Sequence, residues 1–126
     1  ERTVDGYAED GRIVLGHPKT REAMRAGLAM RFETLAAPEL MQVAETLVGG
    51  FGLDGFFNLQ LIGDAVLELN PRISTIVYQD DLNLPWLGIR RALGELSDDE
   101  AAAAQARVRP GRIALRYFDQ LEFDPS

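Results

Sequence analysis

The sequence predicts an α+β fold, a mostly antiparallel sheet with helices packed on one face, and three observations carry that prediction. Short turns built on Asp10-Gly11 and Gly63-Asp64 each separate two apolar stretches, the pattern of hairpins and not of crossovers. Helical spacing is confined to residues 38–48 and 84–93, followed by a capping box at Ser97-Asp98-Asp99-Glu100. The resulting order is strand, strand, strand, helix, strand, strand, helices, strand, and hairpin-linked neighbours pair antiparallel.

Residues 3–8 and 12–16 form the first hairpin about Glu9-Asp10-Gly11. The span 20–27 has no clear period and stays unassigned. Leu28, Met30, Phe32 and Thr34 alternate with Ala29, Arg31 and Glu33, so a third strand follows. Ala37-Pro38-Glu39 opens a helix with proline and glutamate where a first turn tolerates them. Leu40, Val43, Ala44, Leu47 and Val48 share one face of it, and Gly49-Gly50 is expected to end it. Residues 56–62 make a strongly apolar strand. Pro85 and Gly94 bound the helix 84–93, in which Trp86 and Ile89 are expected to be buried. The alanine run 101–104 continues the capped helix. Pro110-Gly111 then turns the chain into a last strand, 112–118, which residues 121–124 can extend.

Length and composition bound the function. At 126 residues the chain is one domain with room for a core. No apolar run is long enough to span a membrane, and the net charge of -7 argues against a bulk nucleic-acid surface. Neither nucleic acid nor membrane is therefore expected as a partner, and a cytoplasmic setting is expected. There is no cysteine and one histidine, His17, which excludes thiol nucleophiles, thiolate metal sites and multi-histidine metal sites. Because the sequence begins at Glu1 within a strand-like stretch, we expect a piece of a longer protein.

Residues 66–75 hold the strongest chemical signal. Read as a strand, Glu68, Asn70 and Arg72 project from one face at steps of about 7 Å, while Leu67, Leu69 and Ile73 point to a core. A carboxylate and an amide oxygen suit a hard cation such as Mg²⁺, which takes one or two protein carboxylates plus phosphate oxygens and water. Arg72 on the same face suits the phosphates that such a metal bridges. Gln60 on the preceding strand is a third oxygen ligand only if the register allows it. A two-residue loop, Gly63-Asp64, pairs Ile62 with Ala65 and puts Gln60 opposite Leu67, on the wrong face. A three-residue loop pairs Ile62 with Val66 and sets Gln60 against Glu68 and Asn58 against Asn70. Turn chemistry favours the first; the functional reading needs the second, or a bulge that restores it. We expect the second.

The runs Gly55-Phe56-Phe57-Asn58-Leu59-Gln60 and Leu67-Glu68-Leu69-Asn70-Pro71-Arg72-Ile73-Ser74 resemble the end of the ATP-grasp domain, closest to its carbamoyl-phosphate synthase and carboxylate–amine ligase branch. Leu82-Asn83-Leu84-Pro85-Trp86 with Leu93-Gly94-Glu95 matches the helix that usually follows, and Glu1-Arg2-Thr3-Val4-Asp5 resembles the strand opening that family's C-terminal lobe. The resemblance implies that residues 1–126 are the C-terminal half of an ATP-grasp fold. It implies ATP and Mg²⁺ (or Mn²⁺) as cofactors, and activation of a carboxylate as an acyl phosphate that an amine attacks. Gln60, Glu68 and Asn70 would hold the metal, and Asn70 and Arg72 would serve the nucleotide. Arg72 would contact the transferring phosphate as the catalytic residue, and Asp5 would sit near the ribose or the metal shell. Arg25 and Ser74 are the substrate candidates. Thr75 stands where carbamoyl-phosphate synthases often place a second arginine, and the hairpin before Glu68 is shorter than theirs. The glycine-rich loop and lysines of the family's first lobe are not found here; Lys19 is the only lysine. The implied partners are therefore an N-terminal lobe of the same chain and small carboxylate and amine substrates, and a homo-oligomer is compatible with this reading. The isolated lobe would be inactive.

Ordinary roles are assigned to the remaining polar residues. Arg21 and Arg31 are taken as mostly solvated, His17 as structural or exposed, Asp80-Asp81 as a solvated loop, and Phe56-Phe57 as core. The alternative to a ligase lobe is a non-catalytic ligand-binding or assembly domain that kept the fold.

Overall fold

The computed structural model describes residues 1–75 and 77–124. Strand β1 (Arg2–Glu9) turns at Asp10-Gly11 into β2 (Arg12–Thr20). Both turn residues have positive φ, 50° and 75°, as the mirror-image two-residue hairpin turn requires. Strand β2 runs past Gly16 to Thr20, four residues beyond the expected end. The unassigned stretch supplies β3 (Glu22–Arg25), which forms a second hairpin with β4 (Leu28–Glu33), the expected third strand, turning at Ala26-Gly27 with φ of 49° and 77°.

Helix α1 (Pro38–Phe51) runs through Gly49-Gly50 instead of stopping there. It closes at Gly52, left-handed at φ 61°, whose N–H bonds to the Gly49 carbonyl. The end of α1 meets the first hairpin's turn, where the Gly11 N–H donates to Leu53 O at 2.9 Å. Strands β5 (Gly55–Ile62) and β6 (Ala65–Asn70) follow, then a small hairpin of β7 (Tyr78–Gln79) and β8 (Leu82–Asn83). Helix α2 (Leu84–Ala92) is capped by Asn83, whose Oδ1 accepts from Trp86 N at 3.1 Å. Helix α3 (Asp98–Ala106) carries the expected capping box of Ser97 and Glu100. Strand β9 (Ile113–Leu115) is shorter than the expected 112–118, and residues 121–124 add no strand to it.

All strand pairings are antiparallel. The main sheet has the order β2-β1-β5-β6, and a smaller sheet has the order β3-β4-β9. Among the described residues, a bridge from Lys19 to Thr34 and a hydrogen bond from Glu33 N–H to Thr20 Oγ1 tie the two together. The α+β, antiparallel architecture is thus the expected one, but the helices do not share one face. Leu40, Ala44 and Val48 of α1 pack on Val4, Phe57 and Leu59, whereas Leu84 and Leu87 of α2 and Ala101 and Ala104 of α3 cluster with Tyr7 and Leu15. By strand alternation these are opposite sides of the sheet. Gly88 lets α2 come close, since a Cβ there would lie 2.5 Å from the Phe56 ring.

Four burial expectations are corrected. Trp86 and Ile89 are 55% and 47% exposed, because α2 turns Leu84, Leu87 and Gly88 inward instead. Leu67 and Ile73 are exposed as well, and of the motif's three apolar residues only Leu69 packs on the α1 core. Among the described residues no helix is long and apolar enough to cross a membrane.

Candidate active site

The α1-free face of the main sheet carries two rows of polar residues that cross all four strands. Lys19, Thr3, Gln60 and Glu68 lie opposite one another in one row, and His17, Asp5, Asn58 and Asn70 in the other. Directly opposed residues share a face, so this row structure follows from register alone. The hairpin between β5 and β6 takes the two-residue loop, with Ile62 paired to Ala65 and Leu61 to Val66. The expected three-residue loop is therefore wrong. A bulge beside it makes Leu67 the extra residue, which returns Gln60 to Glu68 and Asn58 to Asn70. The Arg2 guanidinium fixes the turn, donating to Gly63 O at 2.7 Å and to Asp64 Oδ1 at 3.1 Å.

Burial falls across the rows from β2 to β6. Lys19, Asp5, Thr3, His17, Asn58 and Gln60 are buried, Asn70 is half-buried and Glu68 is exposed. The buried end is a connected network. Lys19 Nζ lies 3.4 Å from Asp5 Oδ2 and 5.2 Å from the centre of the Phe32 ring. Asn58 Nδ2 donates to Asp5 Oδ1 at 2.8 Å and to Thr3 Oγ1 at 2.7 Å, and Thr3 Oγ1 donates on to Leu59 O at 2.8 Å. Gln60 Nε2 donates to Asn58 Oδ1 at 2.7 Å. Gln60 Oε1 in turn accepts from the Arg21 guanidinium, which also pairs with Glu1. Burial pushes the Lys19 ammonium down from its ordinary range, and the Asp5 carboxylate opposes that shift.

Strand β6 ends at Asn70, so Arg72 is not on the strand as expected. Pro71 has no N–H for the ladder, and the Arg72 N–H turns back to Asn70 O at 2.9 Å. Arg72 still reaches the site: with Arg21, Asn58, Gln60 and Ser74 it lines a cleft of about 100 Å³. Arg25 does not line it; its guanidinium sits over the Phe118 ring at 5.4 Å. Arg31 pairs with Glu22 and Glu33. Asp5 is fully buried with both oxygens engaged, so it supports the site from beneath and is not exposed to a ribose. Asp80 and Asp81 are not merely solvated, since they pair with Arg112. A larger groove, about 870 Å³, is lined from β2, α1 and α3 by residues that include His17, Glu39, Gln42, Glu45 and Gln105, and neither Gln60 nor Arg72 lines it.

Sequence reasoning missed Lys19 and Arg21 as members of the site. The signal was present: Leu15, His17 and Lys19 continue the alternation of β2 and fall opposite Tyr7, Asp5 and Thr3. His17 is buried and its Nε2 has no partner among the described residues. Burial foremost, and the neighbouring Lys19 charge next, depress its pKa to about 3, against a smaller opposing pull from Asp81. The unfolded chain therefore binds a proton that the folded one does not between about pH 6.5 and 3. Stability that His17 leaves intact above pH 6.5 is lost as the pH falls through that window, at up to about 1.4 kcal/mol per pH unit. Urea titrations of wild type and His17→Gln at pH 7 and pH 4.5 are expected to show a smaller acid loss in the variant; equal losses would contradict this.

Residues 1–113 match the family described as "ATP-grasp in the biosynthetic pathway with Ter operon". The chain belongs to the ATP-grasp superfamily. No curated protein matches it. ATP-grasp domains are in general ATP-dependent ligases, and ATP binding with ligase-type chemistry is the general function this membership carries. The ATP-grasp motif residues fit a hard cation. Glu68 supplies a carboxylate, and Gln60 presents an oxygen that already accepts from a cationic donor. Among the described residues no group of three or more His, Asp or Glu could hold a metal ion. A cation on this wall therefore rests on one carboxylate plus amide oxygens, a set that leaves positions for phosphate oxygens and water.

Proposed function

We propose that this chain is the metal- and phosphate-binding wall of an ATP-dependent carboxylate–amine ligase, completed by a second lobe. The observation that carries the reading is the register that opposes Gln60 to Glu68 and Asn58 to Asn70 in a chain of this superfamily. Glu68, Gln60 and Asn70 would hold Mg²⁺ or Mn²⁺. When bound, the ion neutralises charge on the phosphates of ATP. Arg72 orients the transferred phosphoryl group, with Arg21 beside it on the same cleft. Ser74 on that cleft faces the carboxylate substrate. The Lys19–Asp5–Asn58 network holds Gln60 rigidly from below.

In the reaction proposed, a carboxylate oxygen attacks the γ-phosphorus of ATP, the bond to ADP breaks, and an acyl phosphate forms. An amine then attacks the acyl carbon, phosphate leaves, and the amine gives up a proton. A cleft of about 100 Å³ is well below the roughly 300 Å³ at which ligand pockets begin, which supports a second lobe as the opposite wall.

The test is interception of the acyl phosphate. The whole protein is incubated with Mg-ATP, a panel of amino acids and dicarboxylic acids, and hydroxylamine as the amine. The expected result is a hydroxamate from one carboxylate class, formed in step with ADP and phosphate. Release of AMP and pyrophosphate with the hydroxamate would overturn the reading, as would ATP turnover without any dependence on a carboxylate.

A further inference from the structure

We infer that Arg21 acts as an internal rival to the metal ion on Gln60, and so couples cation binding to the arrival of an anion. The inference rests on the reading of Gln60, Glu68 and Asn70 as the metal ligands. Arg21 stands one residue beyond β2, and its side chain is only 11% exposed. Its Nη1 donates to Gln60 Oε1 and to the Glu1 carboxylate.

Gln60 has no freedom to offer another atom. Its Nε2 is committed to Asn58 Oδ1, and Asn58 Nδ2 is committed in turn to Thr3 and Asp5. Rotating the Gln60 amide would set its NH₂ group against the guanidinium and leave two buried groups without partners. Oε1 is therefore the atom Gln60 presents, and the guanidinium and a divalent ion compete for it. The two are like charges at short range in a partly buried place, where screening is weak.

An anion changes the balance. Arg21 and Arg72 line the same cleft, so the guanidinium can give up Gln60 for phosphate oxygens without leaving the site. A planar fork of donors favours that bidentate acceptor over a single amide oxygen. Gln60 Oε1 is then free to join Glu68 on a cation. Metal without phosphate binds weakly and metal with phosphate binds tightly, and by linkage each raises the affinity for the other by the same factor.

Mn²⁺ binding to the whole protein tests this, read from the spectrum of free Mn²⁺ with and without inorganic phosphate, with Mn²⁺–phosphate pairing in buffer subtracted. Wild type is expected to bind Mn²⁺ at least about tenfold more tightly when phosphate is present. Arg21→Gln is expected to bind Mn²⁺ alone about tenfold more tightly than wild type and to lose most of the phosphate effect. Arg21→Lys, which keeps the charge without the fork, is expected to keep Mn²⁺ alone weak and to show a reduced phosphate effect. The inference is overturned if Glu68→Gln abolishes Mn²⁺ binding while Arg21→Gln leaves affinity for Mn²⁺ alone unchanged. If Glu68→Gln leaves Mn²⁺ binding intact, the metal reading falls and this inference with it.

Discussion

Glu68→Gln is expected to lower turnover of the whole protein at least about a hundredfold, on the scale of removing one preorganised electrostatic contact to a reacting group, with almost no change in stability. Glu68 is the one carboxylate in the proposed ligand set. Its side chain is exposed and, among the described residues, has no hydrogen bond or ion pair. Its charge therefore contributes little to the fold, and a surface substitution of this kind stays within about 0.5 kcal/mol. Glutamine keeps the shape and one carbonyl oxygen, so what is lost is the negative charge that a divalent ion needs. Steady-state rates and thermal melts on the same preparations check both halves. Unchanged turnover would favour the alternative, a lobe that kept the fold for binding or assembly. Lost turnover together with a collapse of the melt would mean that Glu68 serves the fold.

Much of this wall was legible in the sequence, because its parts lie on regular alternation. Glu68 and Asn70 sit two apart on β6, and Asn58 and Gln60 two apart on β5, so each pair shares a face whatever the register. Which faces meet was not legible. It turns on a bulge at Leu67, and nothing in Ala65-Val66-Leu67-Glu68 announces an extra residue. Turn signals behaved similarly. Asp10-Gly11 is readable because both residue types tolerate positive φ, whereas Ala26 adopts φ 49° with no side chain that hints at it.

Tertiary contacts overrode local rules elsewhere. Gly49-Gly50 has the weakest helix propensity in the body of α1, yet the helix continues to Phe51, where its end meets the first hairpin's turn. Helix α2 buries a glycine and exposes a tryptophan, since close approach to Tyr7 and Phe56 needs the missing side chain of Gly88. Hydropathy reads that helix the wrong way round. Lysine is almost never buried, so Lys19 reads as solvated until the register sets it in line with Thr3, next to Asp5.

Lys19→Met is expected to destabilise the chain by about 3–5 kcal/mol, the range for breaking a buried ion pair from one side. Lys19 and Asp5 are 1% and 0% exposed, with Nζ 3.4 Å from Oδ2. Methionine fills much of the lysine's volume, so a cavity is not the main loss. The loss is a carboxylate left in the interior with the Asn58 amide as its remaining side-chain donor among the described residues. Asp5→Asn in the same chain removes that charge. The double variant is expected to regain most of the stability, as uncharged replacements of buried pairs often do. Urea denaturation of wild type, both single variants and the double variant closes the cycle. A Lys19→Met midpoint close to wild type would show that the pair contributes nothing. A double variant no better than Lys19→Met would place the loss in packing and not in charge. Function separates from stability in that double variant. It keeps a foldable core, but the carboxylate that accepts from Asn58 Nδ2 becomes a neutral amide oxygen, a weaker acceptor, and through Asn58 the orientation of Gln60 is loosened. The double variant is therefore expected to melt near wild type and still bind Mn²⁺ in the presence of phosphate less tightly, by about tenfold, the scale of losing a supporting contact behind a metal ligand.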